Sequence, residues 1–395
     1  MKEVWKCQRL GDLLSIQNGY AFDSKSFGVT GMPLIRIRDL RIGLSTETCF
    51  DGEFDPRYIV KAGDFLIGMD GEFGCFEWKG QAALLNQRVC RLQEFGHALE
   101  PRFLFYGINA HLKAIEDITG YTTVKHISSK QVLDINMPVP TKNAQRRIVA
   151  ILDEAFEGIT TAKANAEKNM LNSLEVFESE RETLLSRPNN GWCEAHLRDL
   201  CDIKHGYAFD GEFFASAGTH VLLTPGNFFE AGGYRDRGAK QKYYVGSIPD
   251  NFVLSEGDLL VAMTEQAAGL LGSPLLVPEA DRFLHNQRLG LAVGKQGAPW
   301  LNDYFFQVFN LRRVREEIHA SASGAKVRHT SPSKIGDVLV AYPRTIEEQR
   351  IIATKLANLS ILCDEAARVF ERKLAALDEL KKSLLHHAFS GQLSA

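Results

Sequence analysis

The strongest constraint on this chain is that it contains one pattern twice. Trp5–Asp23 matches Trp192–Asp210 without gaps at 10 of 19 positions. Five of those identities are consecutive, Gly19-Tyr20-Ala21-Phe22-Asp23 against Gly206-Tyr207-Ala208-Phe209-Asp210. Further along, Gly63-Asp64-Phe65-Leu66 matches Gly257-Asp258-Leu259-Leu260, and Asn86-Gln87-Arg88 matches Asn286-Gln287-Arg288. Val124-Lys125-His126 corresponds to Val327-Arg328-His329, and Gln145-Arg146 to Gln349-Arg350. The offset grows from 187 to 204 residues, so the copies differ by short loop insertions, and the period is far too long for a solenoid.

Each copy has two parts. The first holds short apolar runs such as Pro33-Leu34-Ile35-Arg36-Ile37, punctuated by Gly, Asp and Pro at intervals that suit strands and turns. One helix is expected near Phe103–Ile118 and its counterpart near Leu301–Ile318. The second part is a long helix. In the second copy the 3-4 spacing runs through Ile352, Leu356, Leu359, Cys363, Ala366, Phe370, Lys373, Leu377, Leu380, Leu384 and His387, which is a coiled-coil seam. In the first copy it runs through Ile148, Leu152, Ala155, Ile159, Ala162 and Ala166. It resumes after a stutter at Met170, Leu174, Phe177, Arg181 and Leu184. Helices this long are unstable alone, so they are expected to pack on each other. The expected architecture is α/β (α+β): globular domains at 1–143 and 188–345, and long spacer helices at 144–187 and 346–395, paired as an antiparallel coiled coil.

Composition narrows the function. The 46 Lys+Arg and 49 Asp+Glu give a net charge of −3, and no segment is basic overall. A nucleic-acid role therefore requires charge segregated onto one face. No apolar stretch approaches a membrane span, and the start lacks a signal-peptide core. Seven cysteines without a CxxC pair suit reduced thiols in a cytoplasm. There is no GxxxxGK[ST], strand-linked GxGxxG, HExxH or GxSxG. His386-His387 are helix neighbours about 100° apart and cannot close on one metal. Asp55-Pro56-Arg57-Tyr58 is close to the Asp-Pro-Pro-Tyr loop of amino-methyltransferases, but Arg replaces the second Pro and the second copy has Tyr243-Tyr244-Val245 at the comparable place. A surface turn is the expectation there.

In this order the markers resemble the specificity subunit of type I restriction–modification systems (HsdS) over essentially the whole chain. The paired GYAF, Gly-Asp-x-Leu, Asn-Gln-Arg and Gln-Arg-x-Ile elements carry the resemblance, with the closing run Ala388-Phe389-Ser390-Gly391-Gln392-Leu393. The first long helix departs from it by ending Leu184-Leu185-Ser186-Arg187. The resemblance implies two α/β target recognition domains, each reading half of a split double-stranded DNA sequence. It implies helices that set the unread gap and dock two methyltransferase (modification) subunits. S-adenosylmethionine, ATP and Mg²⁺ are then expected in those subunits and in the restriction/motor subunits, with no catalysis or cofactor in this chain. A coiled-coil protein-interaction adaptor without DNA readout is the alternative. A self-contained methyltransferase would require a cofactor loop that is not found.

Candidate DNA-binding residues follow from side-chain chemistry. Tyr20, Phe22, Tyr207 and Phe209 either line a DNA cleft or, spaced i and i+2 on one strand face, pack in the core. Arg36 and Arg38 share one face of an expected strand, solvated or facing DNA. Arg88 and Arg288 belong to triplets identical in both copies, which fits architecture or phosphate contact better than base discrimination. Lys125, His126, Lys326, Arg328 and His329 form basic loops suited to phosphates or simply to solvent. Base readers are sought where the copies differ, in Asp70–Lys79 and Thr264–Leu271, with Asp70, Glu72, Lys79, Thr264 and Gln266 as candidates.

Overall fold

The computed structural model describes residues 5–119, 125–186, 191–266, 269–324 and 327–393. The chain divides into two compact units, residues 1–166 with 372–395, and residues 167–371. Each unit is a head together with part of both long helices, Lys142–Ser186 and Ile346–Phe389.

The two heads repeat one topology. In the first, an antiparallel sheet runs Ser15–Asn18, Val89–Gln93, Phe65–Gly68, Gly74–Glu77. In the second it runs Cys201–His205, Leu289–Gly294, Leu259–Ala262, Pro274–Leu276. A smaller sheet in each head is built on a short parallel pair, Met32–Ile35 with Ala83–Leu85 and His220–Leu222 with Phe283–Leu284. A two-stranded ribbon joins the first strand of each head to its last, Lys6–Arg9 with Asn136–Val139 and Trp192–His196 with Leu339–Pro343. The smaller sheet differs at one edge, where Ile59–Val60 forms a strand in the first head and a single bridge from Val253 to Leu284 stands in the second.

The repeated motifs build this frame. Gly63 and Gly257 sit at φ +93° and +78°, where a side chain strains the backbone, and so open matching turns. The carboxylates of Asp64 and Asp258 close those turns by accepting the Lys61 and Ser255 N–H groups, each at 2.9 Å. Gln145 and Gln349 are fully buried at the start of the long helices. The Gln145 amide donates to the Ala98 and Pro140 carbonyls, and that of Gln349 to Pro299 and Pro343. This clamps the segment that leads into the head's own helix. That helix is continuous in the first head (Pro101–Ile118). In the second it breaks into Asn302–Phe309 and Arg312–Ser321, because Leu311 turns out of helical geometry to be buried in the core.

In the first unit the long helices run antiparallel. Lys163 pairs with Asp378, and Lys381 lies 5.1 Å from the centre of the Phe156 ring. In the second unit Lys355 pairs with Glu180 at 2.7 Å, and Phe177, Ile352 and Leu356 join its core. Of the expected seam, Ile148, Leu152, Ile159 and Leu356 are buried, and Phe177, Ile352, Leu359, Phe370, Leu377 and Leu384 half-buried. Leu174 and Leu380 are instead exposed. Ser173 takes the inward place beside Leu174, and after Phe370 the inward positions become Leu374, Leu377, Leu384, Leu385 and Ala388. An α-helix of 3.6 residues per turn drifts from a 3.5-residue repeat, which rotates Lys373, Leu380 and His387 outward.

The closing run has a specific seat. Ala388 is fully buried, and the Phe389 ring packs tilted against that of Phe103, 4.9 Å between centres, in a space that Gly107 leaves open. In the second head Val308 fills the core and Leu185, from the end of the first long helix, packs in the same cluster. The aromatic ending of one helix and the aliphatic ending of the other each suit the head they enter.

Candidate nucleic-acid interface

One junction recurs in both heads, where the GYAFD segment meets the Asn-Gln-Arg turn. Tyr20 N–H donates to the Leu85 carbonyl and Gln87 N–H to the Tyr20 carbonyl; Tyr207, His285 and Gln287 repeat the pattern. A Cβ on Gly19 would stand 1.9 Å from the Asn86 carbonyl oxygen, and one on Gly206 would stand 2.2 Å from that of Asn286. The two motifs therefore recur together because one backbone lies against the other, and only glycine permits it. Asn86 and Asn286 are buried with their side chains holding the turn, while Gln87, Arg88, Gln287 and Arg288 are exposed.

Tyr and Phe of GYAFD do not share a strand face. Tyr20 and Tyr207 make single bridges to Asn86 and Asn286, after which the chain leaves the sheet. Asp23 and Asp210 then accept the Lys25 and Glu212 N–H groups to start short helical turns. Phe22 and Phe209 are buried at 6% and 7% exposure, whereas Tyr20 and Tyr207 are 51% and 41% exposed. The phenylalanines anchor the core and the tyrosines present their rings at the surface, against Tyr58 and Phe252 respectively. Asp55-Pro56-Arg57-Tyr58 is a capped turn whose Tyr58 supports Tyr20, and its counterpart is Asp250–Phe252 rather than Tyr243-Tyr244-Val245.

Arg36 and Arg38 also do not lie on a strand. The strand ends at Ile35, and Ile37–Asp39 is a turn closed by Asp39, whose carboxylate accepts the Arg36 N–H at 2.8 Å. Thr224 and Asn227 build the same turn in the second head, with 3.0 Å between Thr224 N and Asn227 Oδ1. Both arginine side chains are exposed, and Arg38 reaches Thr48.

The basic loops pack beside the dissimilar stretches. Asp70 bridges to His126, with its carboxylate 2.5 Å from His126 Nδ1 and 3.5 Å from Arg88 Nε. At the matching place Thr264 and Glu265 pair with His329 and Arg328, with Thr264 Oγ1 3.2 Å from His329 Nδ1. Lys125 donates to the Glu116 carbonyl at 2.7 Å, and Arg328 Nη2 donates to the His319 carbonyl at 2.5 Å. Glu72 pairs with Arg41; the Lys79 and Gln266 side chains are exposed; Lys326 and part of the 264–271 stretch lie outside the described residues.

Two buried carboxylates behind these loops escaped the sequence reading. Glu116 accepts the Phe73 N–H, and its hydrogen bond to the Lys113 ammonium holds its carboxyl below the usual range. Glu265 accepts the N–H groups of Gly269 and Leu271 and faces Arg328 at 3.5 Å. Each fixes the backbone of the dissimilar stretch, yet one comes from a helix and the other from the stretch itself, so no repeated letter marks them.

Residues 2–172 match the family model described as the type I restriction modification DNA specificity domain. The match takes in the first copy of the repeat and less than half of the chain. A specificity subunit of the type I restriction enzyme EcoBI from Escherichia coli is 36% identical over 168 residues, taking in 42% of this chain and 35% of that relative. The chain thus aligns with about a third of the length of that curated relative. The MjaVIII specificity subunit of Methanocaldococcus jannaschii is 20% identical over 407 residues, covering 99% of this chain and 93% of the relative. Among solved structures, a chain of a type I R-M system superposes with TM-score 0.72 at 18% identity, covering 98% of this chain and 97% of the other. The HsdS subunit from Thermoanaerobacter tengcongensis gives TM-score 0.57 at 17% identity, again covering 98% and 97%. These superpositions establish a shared fold.

In each head the repeated residues hold the frame, and the stretches that follow matching strands vary. Among the described residues no helix is long and apolar enough to cross a membrane, and no cluster of His, Cys, Asp or Glu is placed to hold a metal ion.

Proposed function

We propose that this chain is the non-catalytic DNA-specificity subunit of a type I restriction–modification complex, reading a bipartite duplex target with one head per half-site. The observation that carries the reading is the division of labour within each head. Identical residues (Gly19/Gly206, Asp64/Asp258, Asn86/Asn286, Gln145/Gln349) build the frame, and the stretch after matching strands differs, Asp70–Lys79 against Thr264–Leu271, with Glu72, Lys79 and Gln266 exposed on it. Two different targets read from one scaffold require that pattern. The curated relatives, named as specificity subunits, support it.

In this reading the long helices set the separation of the half-sites and dock methyltransferase subunits, through which restriction/motor subunits join. S-adenosylmethionine, ATP and Mg²⁺ belong to those partners, and the complex works in the cytoplasm. The test is methylome sequencing of cells expressing the chain with its partner subunits. A methylated motif of two half-sites around a fixed gap is expected. Deleting one heptad from each long helix should change the gap and leave both half-sites intact. Methyl transfer by the isolated chain, or a gap indifferent to helix length, would refute the proposal.

A further inference from the structure

The Asn-Gln-Arg triplet is identical in the two heads, yet its arginine is held in one and free in the other. In the first head Arg88 adopts φ +73°, the left-handed region that a side chain of this size rarely enters, and its guanidinium pairs with Asp70 at 3.5 Å. In the second head Arg288 keeps an ordinary backbone, and Asn286 Oδ1 accepts the Arg288 N–H at 3.1 Å; in the first head Asn86 Oδ1 takes the Gln87 N–H instead. The residue facing the arginine explains the difference. Met69 and Met263 donate their N–H groups to the Arg88 and Arg288 carbonyls, so the residues after them, Asp70 and Thr264, occupy one position of the frame. Asp70 carries a charge that attracts the guanidinium, and Thr264 carries none. The neighbouring Glu265 is 2% exposed and committed to Gly269, Leu271 and Arg328. Among the described residues the exposed Arg288 guanidinium has no partner.

We infer that position 70/264 controls how strongly each head grips duplex DNA: Thr264 leaves Arg288 free to neutralise a backbone phosphate, while Asp70 withholds Arg88. This rests on the DNA-reading role proposed above and adds an asymmetry to it. A carboxylate beside Arg88 competes with phosphate for the same guanidinium, whereas at Arg288 phosphate competes only with water. The identical triplet serves as backbone grip in both heads, with its strength set by the facing residue.

The experiment measures binding of a fluorescein-labelled mixed-sequence duplex across a KCl series by anisotropy, using the native complex purified through the full chain. Arg288→Ala should reduce the steepness of log K against log[salt] by about 0.9, the share of one phosphate contact. Arg88→Ala should cause less than half that change. Thr264→Asp should reproduce the Arg288→Ala loss and add nothing to it in the double variant. Asp70→Thr should steepen the dependence and make Arg88→Ala as costly as Arg288→Ala; this surface exchange carries the test if Thr264→Asp disturbs folding by circular dichroism. Equal slopes for the two arginine variants, or no response to Asp70→Thr, overturns the inference while DNA binding stands. A wild-type complex that binds no duplex at any salt overturns both this inference and the function it rests on.

Discussion

The first and second heads share a sheet order, a set of turns and one buried junction, and differ in the side chains set into that frame. Where the first head places Asp70 the second places Thr264, and where the first buries Leu85 the second buries His285. The parts of the long helices belonging to each unit differ as well. Those of the first carry eight Lys/Arg against five Asp/Glu, and those of the second five against ten. The second set also exposes Leu171, Leu174, Val176, Ile361, Leu362 and Val369. Matching positions are thus kept only where geometry leaves one choice, and the rest of each unit has diverged in charge, polarity and surface chemistry.

If the junction is a common frame, damaging it must hurt both heads alike. Gly19→Ala and Gly206→Ala each drive a methyl into a backbone carbonyl and should cost about 3 kcal/mol or more. Urea unfolding with proteolytic mapping of each unit would measure this; a loss confined to one head breaks the comparison. Acid should separate the heads. Burial pushes the His285 imidazole down to about 4 from an ordinary 6.5, so the folded second head refuses a proton that its unfolded chain accepts. Stability is full above pH 6.5 and falls toward pH 4, by about 3 kcal/mol at the lower end. His285→Leu should abolish that decline, at the expense of about 1 kcal/mol at neutral pH for the hydrogen bond to the Leu289 carbonyl. Urea midpoints for the variant and parent across that range decide it.

Smaller effects refine the picture. Asp64→Ala and Asp258→Ala each remove one turn-closing acceptor and should cost about 1 kcal/mol, with a larger loss for Asp64→Ala because its carboxylate also pairs with Arg91 at 3.0 Å. Leu380→Ala should change stability by less than about 0.5 kcal/mol, since the exposed side chain leaves no cavity. A thermal melt with a loss of several degrees would return Leu380 to the seam.

The repeat was legible because its letters are backbone requirements. Gly19 lies against a carbonyl, Gly63 sits at positive φ, Asp64 closes a turn and Gln145 clamps a helix start, and no other residue does these jobs as well. The helices were legible from their apolar spacing. The outward turn of Leu380 was not, because an ideal heptad ignores the helix's own pitch. Nor were the strand-like arginines Arg36 and Arg38, since alternation with isoleucine is equally compatible with a capped turn. Glu116 and Glu265 could not be found by comparing copies, because they do one task from unrelated places in the chain.

The seating of Phe389 beside Gly107 has a consequence for synthesis. The core that holds Phe103 needs side chains made only after the whole of residues 167–371 has been translated. The part translated first is therefore finished last. A nascent chain stalled before residue 372 lacks the ring that fills the space at Gly107, although every residue of the other unit has been translated.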